Sequence, residues 1–138
     1  MTRHVARCHC GALEVACEGE PRKVSLCHCE QCQRRTGSAF SVAVFYAREQ
    51  VAVRGASSSF MRPSASGFEV DFRFCSACGS NLLWYPARMP ALVGVAFGGF
   101  ADRDFPMPDQ AVWAEEGHDW VGLPDQVTSF ARNPPPRR

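Results

Sequence analysis

The hydrophobic positions of this chain recur mostly with a period of two, the spacing that puts alternate side chains on one face of a strand. Leu13, Val15 and Cys17 share one parity, Phe40, Val42 and Val44 share another, and Val51 and Val53 follow. The clearest segment is Phe68-Glu69-Val70-Asp71-Phe72-Arg73-Phe74, in which four apolar residues alternate with three charged ones. It predicts a half-buried antiparallel strand running straight into Cys75. Apolar runs over 81–85, 92–97 and 127–130 predict further strands. Turn residues punctuate them, among them Gly19-Glu20-Pro21, Gly55, Pro63, Gly67 and Gly98-Gly99. Only residues 30–35 suggest helix, and a single turn of it.

Short strands with regular turn signals predict an all-β, mainly antiparallel domain over residues 1–132, with little helix. The Pro/Arg-rich segment 133–138 reads as an unpacked tail. The strand–helix alternation of nucleotide-binding folds is missing, as are Gly-x-Gly-x-x-Gly and phosphate-loop motifs, which sets those classes aside. Composition agrees with one packed core: 138 residues, 46% hydrophobic and 21% charged. A net charge of +1 without a basic stripe argues against a nucleic-acid partner. No apolar run approaches the length of a membrane span, and the first residues lack the apolar segment of a signal peptide. A cytoplasmic protein is expected. All but one of the fifteen basic residues are Arg, so any anion site would present guanidinium forks.

Eight cysteines change the picture. In a reducing compartment they point to metal ligation or redox chemistry rather than to disulfides. They fall into Cys8-His9-Cys10, Cys27-His28-Cys29-Glu30-Gln31-Cys32 and Cys75-Ser76-Ala77-Cys78, with Cys17 apart. A C-x-C pair on extended chain puts both thiols on one face. Zn–S bonds of about 2.3 Å in a tetrahedron set sulfurs about 3.8 Å apart, within reach of such neighbours. In the C-x-x-C-Gly turn Gly79 can adopt positive φ and turn its amide toward a thiolate. Two pairs make a closed, structural site; a three-Cys cluster leaves an open, catalytic position. The three-Cys cluster is compact, so the closed site joins the distant pairs Cys8/Cys10 and Cys75/Cys78. A redox pair or an iron–sulfur set could use the same residue types; zinc is the plainest fit. Cys17 reads as a buried, inert thiol, and His9 and His28 should face away from the ligands.

Together, Cys8-x-Cys10-Gly11, Cys27-x-Cys29-x-x-Cys32 with Thr36-Gly37-Ser38, and Phe74-Cys75-x-x-Cys78-Gly79-Ser80 resemble the glutathione-dependent formaldehyde-activating enzyme family, which shares its domain with centromere protein V. The resemblance implies a β-tent of short twisted sheets with two zinc ions. Cys8, Cys10, Cys75 and Cys78 would hold the structural zinc; Cys27, Cys29 and Cys32 would hold the second, catalytic one. It also implies carbon–sulfur lyase-type chemistry on a thiol–aldehyde adduct of the S-hydroxymethylglutathione kind. A glutathione-like thiol and an aldehyde would be the partners. Where many members carry a His shortly before the Trp matching Trp113, this chain has Ala111.

A metal with an open position binds and deprotonates a thiol at neutral pH, and the thiolate attacks an aldehyde carbon. Arg34, just past Cys32, is the candidate to grip a substrate carboxylate, with Arg35 read equally well as a solvated arginine. Glu30 as a proton shuttle competes with a plain exposed turn residue. His118-Asp119 reads as a loop pair, and Trp84, Tyr85, Trp113 and Trp120 as core or pocket wall. The alternative reading is a noncatalytic zinc-binding interaction module. A fourth protein ligand at the three-Cys cluster, such as Cys17 or a His, would favour it.

Overall fold

The computed structural model describes residues 2–64 and 66–135. Among the described residues, eleven strands form two sheets. The smaller is antiparallel, in the order β1 (Arg3–Arg7), β2 (Glu14–Glu18), β5 (Val51–Arg54). The larger contains β3 (Lys23–Cys27), β4 (Ser41–Ala47), β6 (Ser57–Pro63), β7 (Glu69–Cys75), β8 (Asn81–Pro86), β9 (Leu92–Ala96), β10 (Gln110–Val112) and β11 (Thr128–Ser129). Its order is β11-β10-β3-β4-β9-β8-β7-β6. All pairings are antiparallel except those of β10 with β3 and β11. Among the described residues, helix is confined to α1 (Glu30–Thr36), α2 (Phe97–Phe100) and two short 3₁₀ turns. The chain is a small all-β fold, as its alternation predicts.

Register explains how the large sheet serves two purposes. Leu83, Val95, Val44 and Val24 stand opposite one another across four strands and fill the main core. There they meet Leu13, Val15 and Cys17 of the small sheet, all fully buried. One residue along, the row Phe72, Trp84, Gly94, Phe45 and Lys23 projects from the opposite face. That face is a cavity wall rather than a solvated surface. Strand β4 is accordingly buried on both sides, with Tyr46 in the core and Phe45 against the cavity. Gly94 is required where it stands. A Cβ there would lie 2.6 Å from Cε2 of the Trp84 indole and closer still to Nε1.

Several elements depart from the sequence-based expectation. Strands β6 and β10 carry no clear apolar alternation, and β3, in which only Val24 and Leu26 alternate with Lys23 and Ser25, is not among the expected strands. The run over 92–97 ends as strand at Ala96, and Phe97 opens α2. Helix α1 extends to seven residues, one more than its predicted turn. The segment expected to be an unpacked tail begins packed: Trp113 Nε1 donates to Asn133 Oδ1 at 3.3 Å, and Asn133 Nδ2 donates to Ser66 Oγ at 3.0 Å. Residues 136–138 of that tail lie outside the described residues.

Candidate metal centres and the adjoining cavity

The four-Cys group forms where two turns meet. Cys8 and Cys10 follow β1, Cys75 ends β7, and Cys78 lies in the turn after it. Their sulfurs all lie within 4.8 Å of one another. Cys8 Sγ to Cys10 Sγ and Cys10 Sγ to Cys75 Sγ are each 3.7 Å, the spacing of a tetrahedral thiolate shell. Gly11 and Gly79 take φ of +83° and +78°, closing the two turns without a Cβ penalty. The amide of Gly79 donates to the Cys75 carbonyl at 2.9 Å rather than to a sulfur. The sulfurs are met instead by the amides of Leu13, at 3.2 Å from Cys8 Sγ, and Ala77, at 3.4 Å from Cys75 Sγ. Hydrogen bonding by Ser80 lowers the Cys78 thiol to about 5. Converging sulfurs, amide donors and a lowered thiol fit a bound zinc.

The three-Cys group is built from β3 and α1. Cys27 ends the strand beside Ser41 of β4 and Val112 of β10. Cys29 is the N-cap of α1, its sulfur accepting from the Cys32 amide at 3.3 Å. Gly37, at φ +71°, closes the helix by donating to Gln33 O at 2.8 Å. The three sulfurs lie within 4.8 Å of one another. Hydrogen bonds from the Cys27 and Cys29 thiols, aided by Ser41 and the Arg35 charge, hold the Cys32 thiol down to about 2. The same contacts push Cys27 far above the ordinary thiol range. Three thiols this close cannot all ionise unaided, and a divalent cation relieves that conflict. The donor set fits zinc with three protein ligands.

No fourth Cys, His, Asp or Glu joins this group among the described residues. Cys17 is fully buried in the main core, where burial and then Glu18 raise its thiol to about 12. His28 is buried and packs toward Gly117, where a Cβ would lie 2.8 Å from its Nδ1. His9 is exposed.

All three sulfurs line a cavity of about 330 Å³ on the second face of the large sheet, within the usual range of ligand sites. Phe45, Phe72 and Trp84 form its apolar wall, and Lys23, Arg35, Arg62 and Arg88 supply positive charge against a single lining carboxylate, Glu69. With its amide turned to match its neighbours, Gln31 accepts from Arg62 Nη2 at 3.2 Å and so ties α1 to β6. Asn133 and Pro134 close one side.

The arginines divide sharply. The Arg34 side chain is 76% exposed, approaches Glu30 at 3.9 Å and does not line the cavity. Arg35 does, although it reads in sequence equally well as solvated. Spacing holds the signal: Cys29, Cys32 and Arg35 recur every three residues and therefore share one helix face. Glu30 is exposed and outside the cavity. His118 is exposed and bonds Gln33 Oε1 at 2.9 Å; Asp119 and Trp120 are also exposed. Trp84 and Trp113 are walls, while Tyr85 carries the guanidinia of Arg48 and Arg73. Ala111 is fully buried with Leu26 and Val127, away from the cavity.

Residues 3–116 match the family model of the glutathione-dependent formaldehyde-activating enzyme. The chain belongs to that family. Among its relatives is a Halomonas elongata protein whose name assigns it, provisionally, to the glutathione-dependent formaldehyde-activating enzymes. It is 29% identical over 136 residues, covering 92% of this chain and 86% of the relative. A crystal structure of a Rhodobacter sphaeroides protein shares the fold, with a TM-score of 0.53 at 24% identity. The match covers 75% of this chain and 91% of that one. The family's name carries glutathione and formaldehyde. No disulfide joins any of the eight cysteines, and no helix among the described residues is long and apolar enough to cross a membrane.

Proposed function

We propose that this protein is a zinc-dependent carbon–sulfur lyase-type enzyme that makes or breaks the adduct of a small glutathione-like thiol with an aldehyde such as formaldehyde. The observation that carries the reading is the three-thiolate cluster, without a fourth protein donor among the described residues, at the floor of a cationic cavity. Bound at Cys27, Cys29 and Cys32, zinc would supply an open position that takes up a thiol in its deprotonated form at neutral pH. The chain itself does the rest. The cationic lining attracts the carboxylates of a peptide-like thiol, and Phe45, Phe72 and Trp84 keep water away from the sulfur. The closed site at Cys8, Cys10, Cys75 and Cys78 serves structure, giving two zinc ions per chain. Cysteines gathered to hold metal rather than paired as disulfides suit a reducing, cytoplasmic setting.

Exchange NMR on glutathione and formaldehyde, with zinc content measured on the same sample, tests the proposal. The expected result is about two zinc ions per chain, by the coordination counts above, and faster exchange than in buffer. Full zinc loading with no acceleration of any thiol–aldehyde pair in a panel overturns it.

A further inference from the structure

Arg35 has a setting that the general attraction of carboxylates does not explain. It lies one helical turn beyond Cys32, on the face of α1 that carries the sulfurs. Its guanidinium centre stands 4.6 Å from the Trp84 ring centroid and 4.9 Å from that of Phe72. Nη1 donates to Asn81 Oδ1 at 3.0 Å. Two ring faces and one neutral amide oxygen fix the plane of the guanidinium without cancelling its charge. Among the described residues no carboxylate forms an ion pair with it. It is a half-buried cation with a fixed orientation at the edge of the cluster, lining the cavity.

The chemistry at the cluster calls for such a group. When a thiolate adds to an aldehyde, the C–S bond forms and the C=O π pair moves onto oxygen. The resulting alkoxide then takes a proton from water, the thiol's own proton having left to solvent. The reverse reaction runs the same steps backward. The oxygen that gains charge sits on the carbon bonded to sulfur, so it cannot be far from the cluster. A donor fixed there before reaction stabilises that charge without reorganising. We infer that Arg35 is a catalytic residue, whose guanidinium hydrogen-bonds the aldehyde oxygen as it becomes an alkoxide. The inference rests on the thiol–aldehyde reading of the three-Cys site.

The test compares zinc-loaded wild type with Arg35→Ala and Arg35→Lys by exchange NMR, separating kcat from KM. Zinc content and a glutathione titration of the cobalt-substituted proteins, followed by absorption, report metal and thiol binding independently of turnover. Arg35→Ala should lose about 10²–10³-fold in kcat, the usual effect of removing one oxyanion donor. Zinc content and thiol titration should stay as in wild type, and Arg35→Lys should recover part of kcat. If Arg35→Ala fails to fold, Arg35→Met, which keeps an apolar stem against the two rings and carries no donor, takes its place with the same expected loss. A variant that keeps wild-type kcat overturns the inference. So does one whose only change is weaker thiol binding, which marks a carboxylate grip, or loss of zinc, which marks charge balance alone. A fully loaded wild type that accelerates nothing overturns the reading of the site itself, and this role with it.

Discussion

Removing one thiol from each cysteine group should have unequal consequences, and the structure sets the sizes. Cys10 and Cys75, in sulfur contact, are 65 residues apart, whereas Cys27 and Cys32 are five apart. Closing the longer loop costs the unfolded chain more entropy by (3/2)RT times the logarithm of that ratio, about 2 kcal/mol. A metal clip across it removes that entropy in advance. Metal binding by the unfolded chain widens the gap. Cys27, Cys29 and Cys32 fall within one short segment and can still meet a zinc ion after unfolding, which cancels part of the stabilisation. The four-Cys group has no such local form. Cys8 and Cys75 are moreover core residues, 6% and 1% exposed, so Cys75→Ala also leaves a packing defect. Against a net stability of about 5–15 kcal/mol, Cys75→Ala should unfold the chain or lower its melting temperature by at least about 10 °C. Cys29→Ala should stay folded, lose one zinc ion and lose thiol–aldehyde activity. Thermal melts and zinc analysis of both variants, side by side, decide the matter. If Cys29→Ala melts as low as Cys75→Ala, the division into structural and catalytic sites is wrong, and the noncatalytic zinc module becomes the better account.

Three further substitutions probe the frame around the site. Gly94→Ala forces a methyl into the Trp84 indole; urea unfolding should show a loss of about 1–3 kcal/mol, the usual cost of overpacking, with altered tryptophan fluorescence. Tyr46→Phe removes a fully buried hydroxyl that has no hydrogen-bond partner among the described residues, so the melting temperature should rise, and a fall would mean that the hydroxyl is satisfied. Asp71 is held below the usual carboxylate range by hydrogen bonds from Arg73, with Nη2 at 2.8 Å from Oδ2. Because its folded pKa is depressed, its contribution is complete above the unfolded value of about 3.9 and fades as pH falls through the folded value. Wild type should therefore lose more stability than Asp71→Asn over that acid range, and parallel curves would assign no role to the pair.

The cysteine chemistry was legible because ligand spacing is local. A C-x-C on extended chain and a C-x-x-C in a turn bring sulfurs together whatever the rest of the chain does. Strands β2 and β7 were legible for a similar reason: apolar and polar residues alternate along each, in Leu13, Val15 and Cys17 leading through β2 and in Val70, Phe72 and Phe74 of β7. The second face of the large sheet hid β3. Lys23, Ser25 and Cys27 line the cavity while Val24 and Leu26 are buried behind them, so β3 alternates between core and site, and its cavity face reads as loop. Strand β4 showed its core parity in Val42 and Val44, but not that Phe45 on its other face is covered as well. The edge strand β6 has no buried residue at all, and β10 pairs with β3, whose Ser25 stands 85 residues before Gln110 in the chain. Arg35 was obscured for a related reason. A basic residue in a short helix looks solvated until the rings of Phe72 and Trp84 arrive from β7 and β8 to cover it. Its position one turn past Cys32 is the only local trace of that arrangement. The cavity is thus a property of strand register. Neighbours in one row of the sheet, far apart in the chain, set its wall, while the cysteines that give it chemistry come from a single short segment.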